Sequence, residues 1–265
     1  MAYWQDRYME SQAALSRKNE KQILKQLRKY YATAAKSVIE EFENTYAHLL
    51  ASIEDGREPT PADLYKLEKY WEAQGKLRKS LNSLGEKEIE MLTRVFEANY
   101  FDIYYGLNLP TDLKFSGISH DTVNQLISAV WCADGKVWSE RVWDNTSKLA
   151  ETLNEELINT LLTGKKTSDL KRKLQERFGV SYSEANRLVR TELAHIQTEA
   201  AAQRYKDSGL EYYEILGNDD DSCGGKEPNC HKLNGKKFRY AEMNIGVNAP
   251  PFHPNCKCCI VPVIE

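Results

Sequence analysis

Apolar residues along the first half of the chain recur every three or four positions, the period of one buried helix face. Leu15, Ile23, Leu24, Leu27, Tyr31, Val38, Phe42, Leu49 and Ile53 follow this rule between Tyr3 and about Glu54, with no proline or glycine among them. The spacing predicts one long helix or two nearly collinear ones. Asp55-Gly-Arg-Glu-Pro-Thr-Pro interrupts it, and Thr60, Pro61 and Asp63 supply an N-cap, a helix-starting proline and a first-turn acid. A second helix is expected through Leu64, Leu67, Trp71 and Leu77. Gly85 is expected to separate it from a third, Glu86 to Tyr105. Ser119 caps a short helix, Trp138 to Leu162 is helical in period up to Gly164, and Ser168 to Phe178 reads as a shorter helix closed by Gly179. Ser181-x-x-Glu184 has the spacing of a capping box and predicts a fresh helix running to about Asp207.

Beyond Gly209 the period changes. Leu210 to Leu216, Lys237 to Tyr240 and Cys259 to Ile264 are rich in residues that suit strands, and long Gly-, Pro- and Asn-rich loops join them. The pattern thus predicts a mainly α N-terminal region of long helices, residues 1–164, followed by a small α+β C-terminal domain, residues 165–265.

Composition narrows the function classes. With 265 residues, 28% charged, and a net charge of -3, the chain is a globular protein rather than a disordered acidic tail or a uniformly basic nucleic-acid binder. No apolar run approaches the roughly 20 residues that a bilayer requires, and the polar first ten residues do not resemble a signal peptide. The sequence therefore reads as made in a cytoplasm, where thiols stay reduced and clustered cysteines favour metal ligation over disulfides.

Five of the six cysteines lie in the last stretch, as Cys223-x6-Cys230 and then His253-Pro-Asn-Cys256-Lys-Cys258-Cys259. Thiolates and an imidazole on two loops form a soft ligand set suited to tetrahedral zinc, and a small core with long loops would gain from such a clip. Cys256 and Cys258, two apart, would face one side of a strand while Cys259 points away. The expected ligands are Cys223, Cys230, Cys256 and Cys258, with His253 as the first alternate and His231 as the second. Buried thiols without a metal, and disulfides, are the competing readings.

These residues also carry a resemblance. Arg190-Thr-Glu192 on a helix, Asp-x-Ser-Cys223, Cys230-x-x-Leu233-x-Gly235-Lys-x-Phe238 and Pro250-Pro-Phe-His253-Pro-Asn-Cys256-Lys-Cys258, in that order, resemble the phage Mu F-like head morphogenesis family. The resemblance runs from about Ser181 to the C-terminus, and the first two cysteines stand further apart here than the family pattern usually has them. It implies a minor capsid protein of a tailed phage, housed in the head interior, and the leading expectation is that it is not an enzyme. Its implied partners are the portal protein and the major capsid or scaffolding protein, and its implied roles are head assembly and the packaging and ejection of DNA. The helical region would then dock on the portal or capsid.

Two further groups stand out. Glu192, His195 and Glu199 fall on one helix face, which suits acid and base chemistry or a polar network in which Arg190 reaches a loop carboxylate such as Asp219 or Asp221. The network is the favoured reading. Eight basic residues against three acidic ones between Met1 and Lys36 give a local excess in which Lys18, Lys21, Lys25, Arg28 and Lys29 could touch double-stranded DNA, though exposed helices usually carry charge for solvation alone. The rival to a scaffold is a metal-dependent nuclease or a transferase effector injected into the host, which requires an open metal position. The chain contains no nucleotide-binding loop or nucleophile elbow of recognised pattern.

Overall fold

A computed structural model describes the chain apart from residues 1, 54–56, 58, 59, 108–116, 133, 164, 218–229 and 265, and describes side chains apart from these and residues 2–9, 11–19, 161 and 162. The helices are α1 (Ala2–Ala51), α2 (Pro61–Lys66), α3 (Glu68–Gly106), α4 (His120–Ile127), α5 (Trp138–Leu162), α6 (Thr167–Asp207) and the single turn α7 (Cys230–Leu233). The strands are β1 (Tyr212–Leu216), β2 (Lys237–Arg239) and β3 (Cys259–Pro262). Long helices followed by a small sheet are what the periodicity predicts.

Three boundaries differ from the sequence reading, each for an identifiable reason. The second helix breaks at Leu67, which adopts an extended backbone (φ -80°, ψ 116°), and the Trp71 indole N–H donates to the Tyr65 carbonyl there at 2.8 Å. α3 passes straight through Gly85. This glycine makes room: a Cβ built on it would stand 2.6 Å from Cζ3 of Trp143. α6 likewise runs unbroken through Gly179 and Ser181. Ser181 is no cap, because its hydroxyl donates to Asn145 Oδ1 at 2.9 Å while the Asn145 amide donates to the Ser181 carbonyl at 3.0 Å; Glu184 pairs with Lys148 at 3.4 Å. By contrast Thr60 forms the capping box expected of it, and Ser119 accepts from the Thr122 N–H at the start of α4.

The chain divides into two compact units, each assembled from separate stretches. One comprises Lys25–Glu90 and Ser139–Asn186 and is wholly helical. Its core is a seam of residues three or four apart: Leu27, Tyr31, Val38 and Phe42 from α1, Leu77, Leu81 and Leu84 from α3, Leu149, Leu153 and Leu157 from α5, and Leu170, Leu174 and Phe178 from α6. Within that seam Glu88 is fully buried. It accepts from the Tyr31 hydroxyl at 3.3 Å, and that oxygen in turn accepts from the Asn145 amide at 2.9 Å. Burial pushes the Glu88 carboxyl up to about 7, the Tyr31 bond offsetting only part of it.

The other unit comprises Met1–Leu24, Met91–Trp138 and Arg187–Glu265. Its antiparallel sheet has the order β2-β1-β3, with Tyr213 opposite Phe238 and Pro262, and Leu216 opposite Cys259. Tyr213, Ile215, Ile260 and Val261 are buried from the sheet, and Val189, Leu193, Ile196 and Tyr205 from α6. Both cysteine-bearing loops are tied to this sheet.

Candidate metal centre

The first ligand-bearing segment is fixed by the end of β1. The four-residue turn α7 stops because Gly235 adopts a left-handed backbone (φ 75°), a conformation that disfavours any side chain. The Gly235 N–H donates to the Ile215 carbonyl at 2.8 Å, the Asn234 N–H to the Cys230 carbonyl at 3.0 Å, and the Gly217 N–H to the Asn234 side chain at 2.7 Å. Leu233-x-Gly235 is thus the hinge that presents Cys230 at the Leu216 end of β1.

The second segment arrives on the opposite side of β1, because Cys259 pairs with Leu216 and Cys258 immediately precedes it. A cis Pro250-Pro251 bond leads into it, and the Cys256 N–H donates to the His253 carbonyl at 3.1 Å, closing a turn with Asn255 in the left-handed region (φ 59°). Cys230, Cys256 and Cys258 are brought together as a buried cluster with Phe252 packed against it. One ligand atom each from Cys230, His253 and Cys256 lies within 4.8 Å of the others.

The state of His253 follows from its neighbours. Its Nδ1 lies 2.9 Å from the Pro254 carbonyl, which can only accept, so Nδ1 is the donor of that contact and Nε2 is left for another partner. That Nε2 is buried and has no protein partner. A buried acceptor left open beside two thiols is the arrangement a metal-ligating imidazole needs, with its other nitrogen held by a carbonyl. The thiols reinforce each other. The Cys258 thiol, hydrogen-bonded to Cys256, holds Cys256 well below the ordinary thiol range, backbone hydrogen bonds adding to the effect, and the same contact pushes Cys258 up. The donor set of sulfur and neutral imidazole fits zinc or another thiophilic divalent ion.

The other expected ligands fare differently. His231 is exposed on α7, Cys259 stays outside the cluster, and Cys223 lies outside the described residues. Cys256 and Cys258 do converge, though from the approach to β3 and not from within it.

The polar stripe of α6 forms a separate arrangement. Glu192 accepts from the Trp131 indole at 3.0 Å, and His195 stacks on that indole with centroids 4.6 Å apart. Glu192 and Glu199 stand 4.0 Å from Nδ1 and Nε2 of His195 respectively, on opposite sides of the ring, so the three do not converge on one ion. Burial pulls His195 down to about 3 and raises Glu199, which keeps the imidazole neutral at ordinary pH. Arg190 does not point into this stripe: its described partner is Glu20 at 2.9 Å, at the surface, while Asp219 and Asp221 lie outside the described residues. Lys21, Lys25, Arg28 and Lys29 are exposed along α1, with Arg28 over the Tyr182 ring at 5.7 Å; the Lys18 side chain lies outside the described residues. Among the described residues no helix is long and apolar enough to cross a membrane.

The residue that sequence reasoning passed over is Thr191, between the two charged members of Arg190-Thr-Glu192. Its hydroxyl donates to the Arg187 carbonyl at 2.8 Å and accepts from the Asn255 N–H at 3.2 Å, linking α6 to the His253–Cys256 turn. A helical threonine bonding back to its own helix carries no sequence signal of a distant partner.

Comparison with known proteins follows the same stretch. Residues 151–261 match the family described as Phage Mu protein F like protein. The chain is also 25% identical, over 135 residues, to the NAD(+)--arginine ADP-ribosyltransferase EFV of Enterococcus faecalis; the shared part is 50% of this chain but only 26% of that relative. No solved structure matches the chain. The stretch that matches the phage Mu F-like family is the one that carries α6, most of the sheet and the Cys/His cluster.

Proposed function

We propose that this chain is a minor head protein of a tailed phage, held on the portal protein inside the procapsid, where it serves head morphogenesis and the packaging and ejection of DNA as a scaffold and not as an enzyme. The observation that carries this reading is the phage Mu F-like match across residues 151–261, which supports a phage head-associated, virion-borne protein. The Cys/His cluster supports the scaffold half: its donors can satisfy a structural zinc, which would clip the two loops to the sheet. Docking falls to the exposed faces of the long helices, toward the portal protein and the major capsid or scaffolding protein. Lys21, Lys25, Arg28 and Lys29 are available for a salt-sensitive contact with double-stranded DNA.

The relative in Enterococcus faecalis gives the enzyme reading its one foothold, a transferase effector. The chain spans about a quarter of that protein's length, so the name travels poorly.

The test is assembly. The full chain is co-expressed with the portal protein of the same phage, and purified heads are analysed by mass spectrometry. Co-purification with portal, and presence in heads, is expected. Charge reversal at exposed Lys21, Lys25 and Lys29 is a milder perturbation than truncating α1, whose opposite face is core, and is expected to lower incorporation. Absence from heads, or consumption of NAD or DNA by the purified chain, would overturn the reading.

A further inference from the structure

We propose that the ion in this cluster is enclosed by four donors from the described loops, Cys230, Cys256 and Cys258 through sulfur and His253 through Nε2, so that Cys223 is not a ligand, and that Thr191 on α6 is the positioning residue of the site. The proposal rests on the reading above that the cluster holds a metal. It changes the ligand set expected from the sequence and brings a third element of the fold to the site.

Three donors converge directly, and Cys258, buried beside them, is the fourth that a tetrahedral ion would draw in. Cys230, His253 and Cys256 converge within 4.8 Å, and Cys258 shares their buried cluster, its thiol in hydrogen-bonding contact with both Cys256 and Cys230. The buried, unpartnered Nε2 of His253 supplies the independent sign of a ligand, since a buried acceptor without a partner is costly unless something occupies it. With three thiolates and a neutral imidazole the coordination sphere is closed, leaving no position for a catalytic water. A fifth donor from the Cys223 loop has no role in such a set.

Thr191 acts one shell out. His253 and Cys256 are joined by a two-residue turn whose second member, Asn255, has the left-handed backbone. The Asn255 N–H is the donor that Thr191 Oγ1 accepts, so α6 pins the middle of the turn that sets the separation of an imidazole and a thiolate. Thr191 touches no ligand atom in this arrangement. Its effect would be on affinity, of the size found for groups that orient metal ligands, about 10-fold to 100-fold.

The experiment uses the full-length protein and cobalt(II) alone as probe, read by thiolate-to-cobalt charge-transfer and ligand-field absorption, with zinc competition for affinity and circular dichroism as a check on folding. The wild type is expected to bind one tetrahedral cobalt, Cys223→Ser to match it, and Cys258→His to keep the ion with charge-transfer intensity lowered by about a third, two thiolates replacing three. Thr191→Val is expected to weaken zinc at least tenfold and Thr191→Ser to restore it. Failure of the wild type to bind cobalt overturns the metal reading itself. Loss of binding in Cys223→Ser, or an unchanged cobalt spectrum in Cys258→His, overturns the ligand set while leaving that reading in place. Wild-type affinity in Thr191→Val overturns the positioning role.

Discussion

The molecule buries two polar centres of different chemistry, one around a carboxyl and one around thiols, and each leaves a buried atom without a hydrogen-bond partner. In the helical unit, Glu88 Oε2, Tyr31, Asn145 and Ser181 hydrogen-bond to one another across α1, α3, α5 and α6, while Glu88 Oε1 is buried without a hydrogen-bond partner, so the strain of that centre falls on a carboxyl. In the sheet-bearing unit, three thiols are buried together and His253, whose Nε2 has no hydrogen-bond partner, stands within ligand reach of Cys230 and Cys256, so that centre offers donors to a soft cation. The first can only be tuned by protons. The second can be tuned by a metal, on the reading proposed above. Long helices with a continuous apolar seam fold around a polar group they satisfy in part, at a cost that ionisation would raise. A three-stranded sheet with long loops, too small to bury much surface, is where an external clip has the most to add.

Metal removal should separate the two centres most widely. With free zinc at about a thousand times its Kd, withdrawal by a chelator removes about 4 kcal/mol of stabilisation from the sheet-bearing unit. Thermal unfolding followed by far-ultraviolet circular dichroism should show the loss, and hydrogen exchange should place it in β1, β3 and α7 while the Glu88 centre keeps its protection. Equal loss in both units, or none in either, breaks the distinction.

Protons should act on the other centre. Glu88 binds its proton more tightly folded, at about 7, than unfolded, at 4.5, so the folded chain carries the extra proton between those values and stability falls as pH rises through them. Below about 4.5 both states are protonated and the penalty is absent; above about 7 it is fully developed. The difference of about 2.5 pKa units corresponds to roughly 3 kcal/mol at most. Glu88→Gln keeps a group that can accept from Tyr31 and cannot ionise, so it should raise stability at pH 8 by up to that amount and flatten this part of the pH profile. Denaturant unfolding at pH 5 and pH 8 reads both effects, and a variant less stable than wild type at pH 8 contradicts the buried, penalised carboxylate.

How much of this was legible beforehand depends on the range of the interaction involved. The long helix α1, the Thr60 cap and the three strands are set by local pattern, and the sequence declares them. The gathering of Cys230, Cys256 and Cys258 was legible because residue types and spacing mark it, while Cys223, expected with them, lies outside the described residues. His253 read only as an alternate, since the contact that holds its ring, Nδ1 to the Pro254 carbonyl, exists only in the folded turn. Gly85 and Ser181 misled for the same reason: locally they read as a break and a cap, while their actual partners, Trp143 and Asn145, lie on another helix. Glu192 found Trp131, 61 residues away, and no local rule points there.

That distinction can be sharpened with two glycines of α3. Helix propensity alone predicts that replacing either with alanine stabilises by up to about 1 kcal/mol. Around Gly75 nothing lies within 4 Å of a new Cβ, so Gly75→Ala should gain that amount. At Gly85 the Trp143 ring stands at 2.6 Å and must shift, so Gly85→Ala should instead lose about 1 kcal/mol once overpacking is set against propensity. Opposite signs in parallel denaturant titrations are the expected result; the same sign would mean that Trp143 moves aside freely and that Gly85 is tolerated rather than required.

The smallest effect concerns Arg190, the residue whose charge made it the obvious candidate to hold the cysteine loops. Its guanidinium pairs with Glu20 at a site where both side chains are substantially exposed, 45% and 29%, so solvent screens the pair. Arg190→Ala should therefore cost no more than about 0.5 kcal/mol in unfolding and leave cobalt affinity at the wild-type value. Its neighbour Thr191 carries no charge yet reaches the ligand turn through one backbone N–H. A tenfold fall in metal affinity for Arg190→Ala would mean that the guanidinium engages the cysteine loops after all, and the long-range anchor would pass from the hydroxyl to the charge beside it.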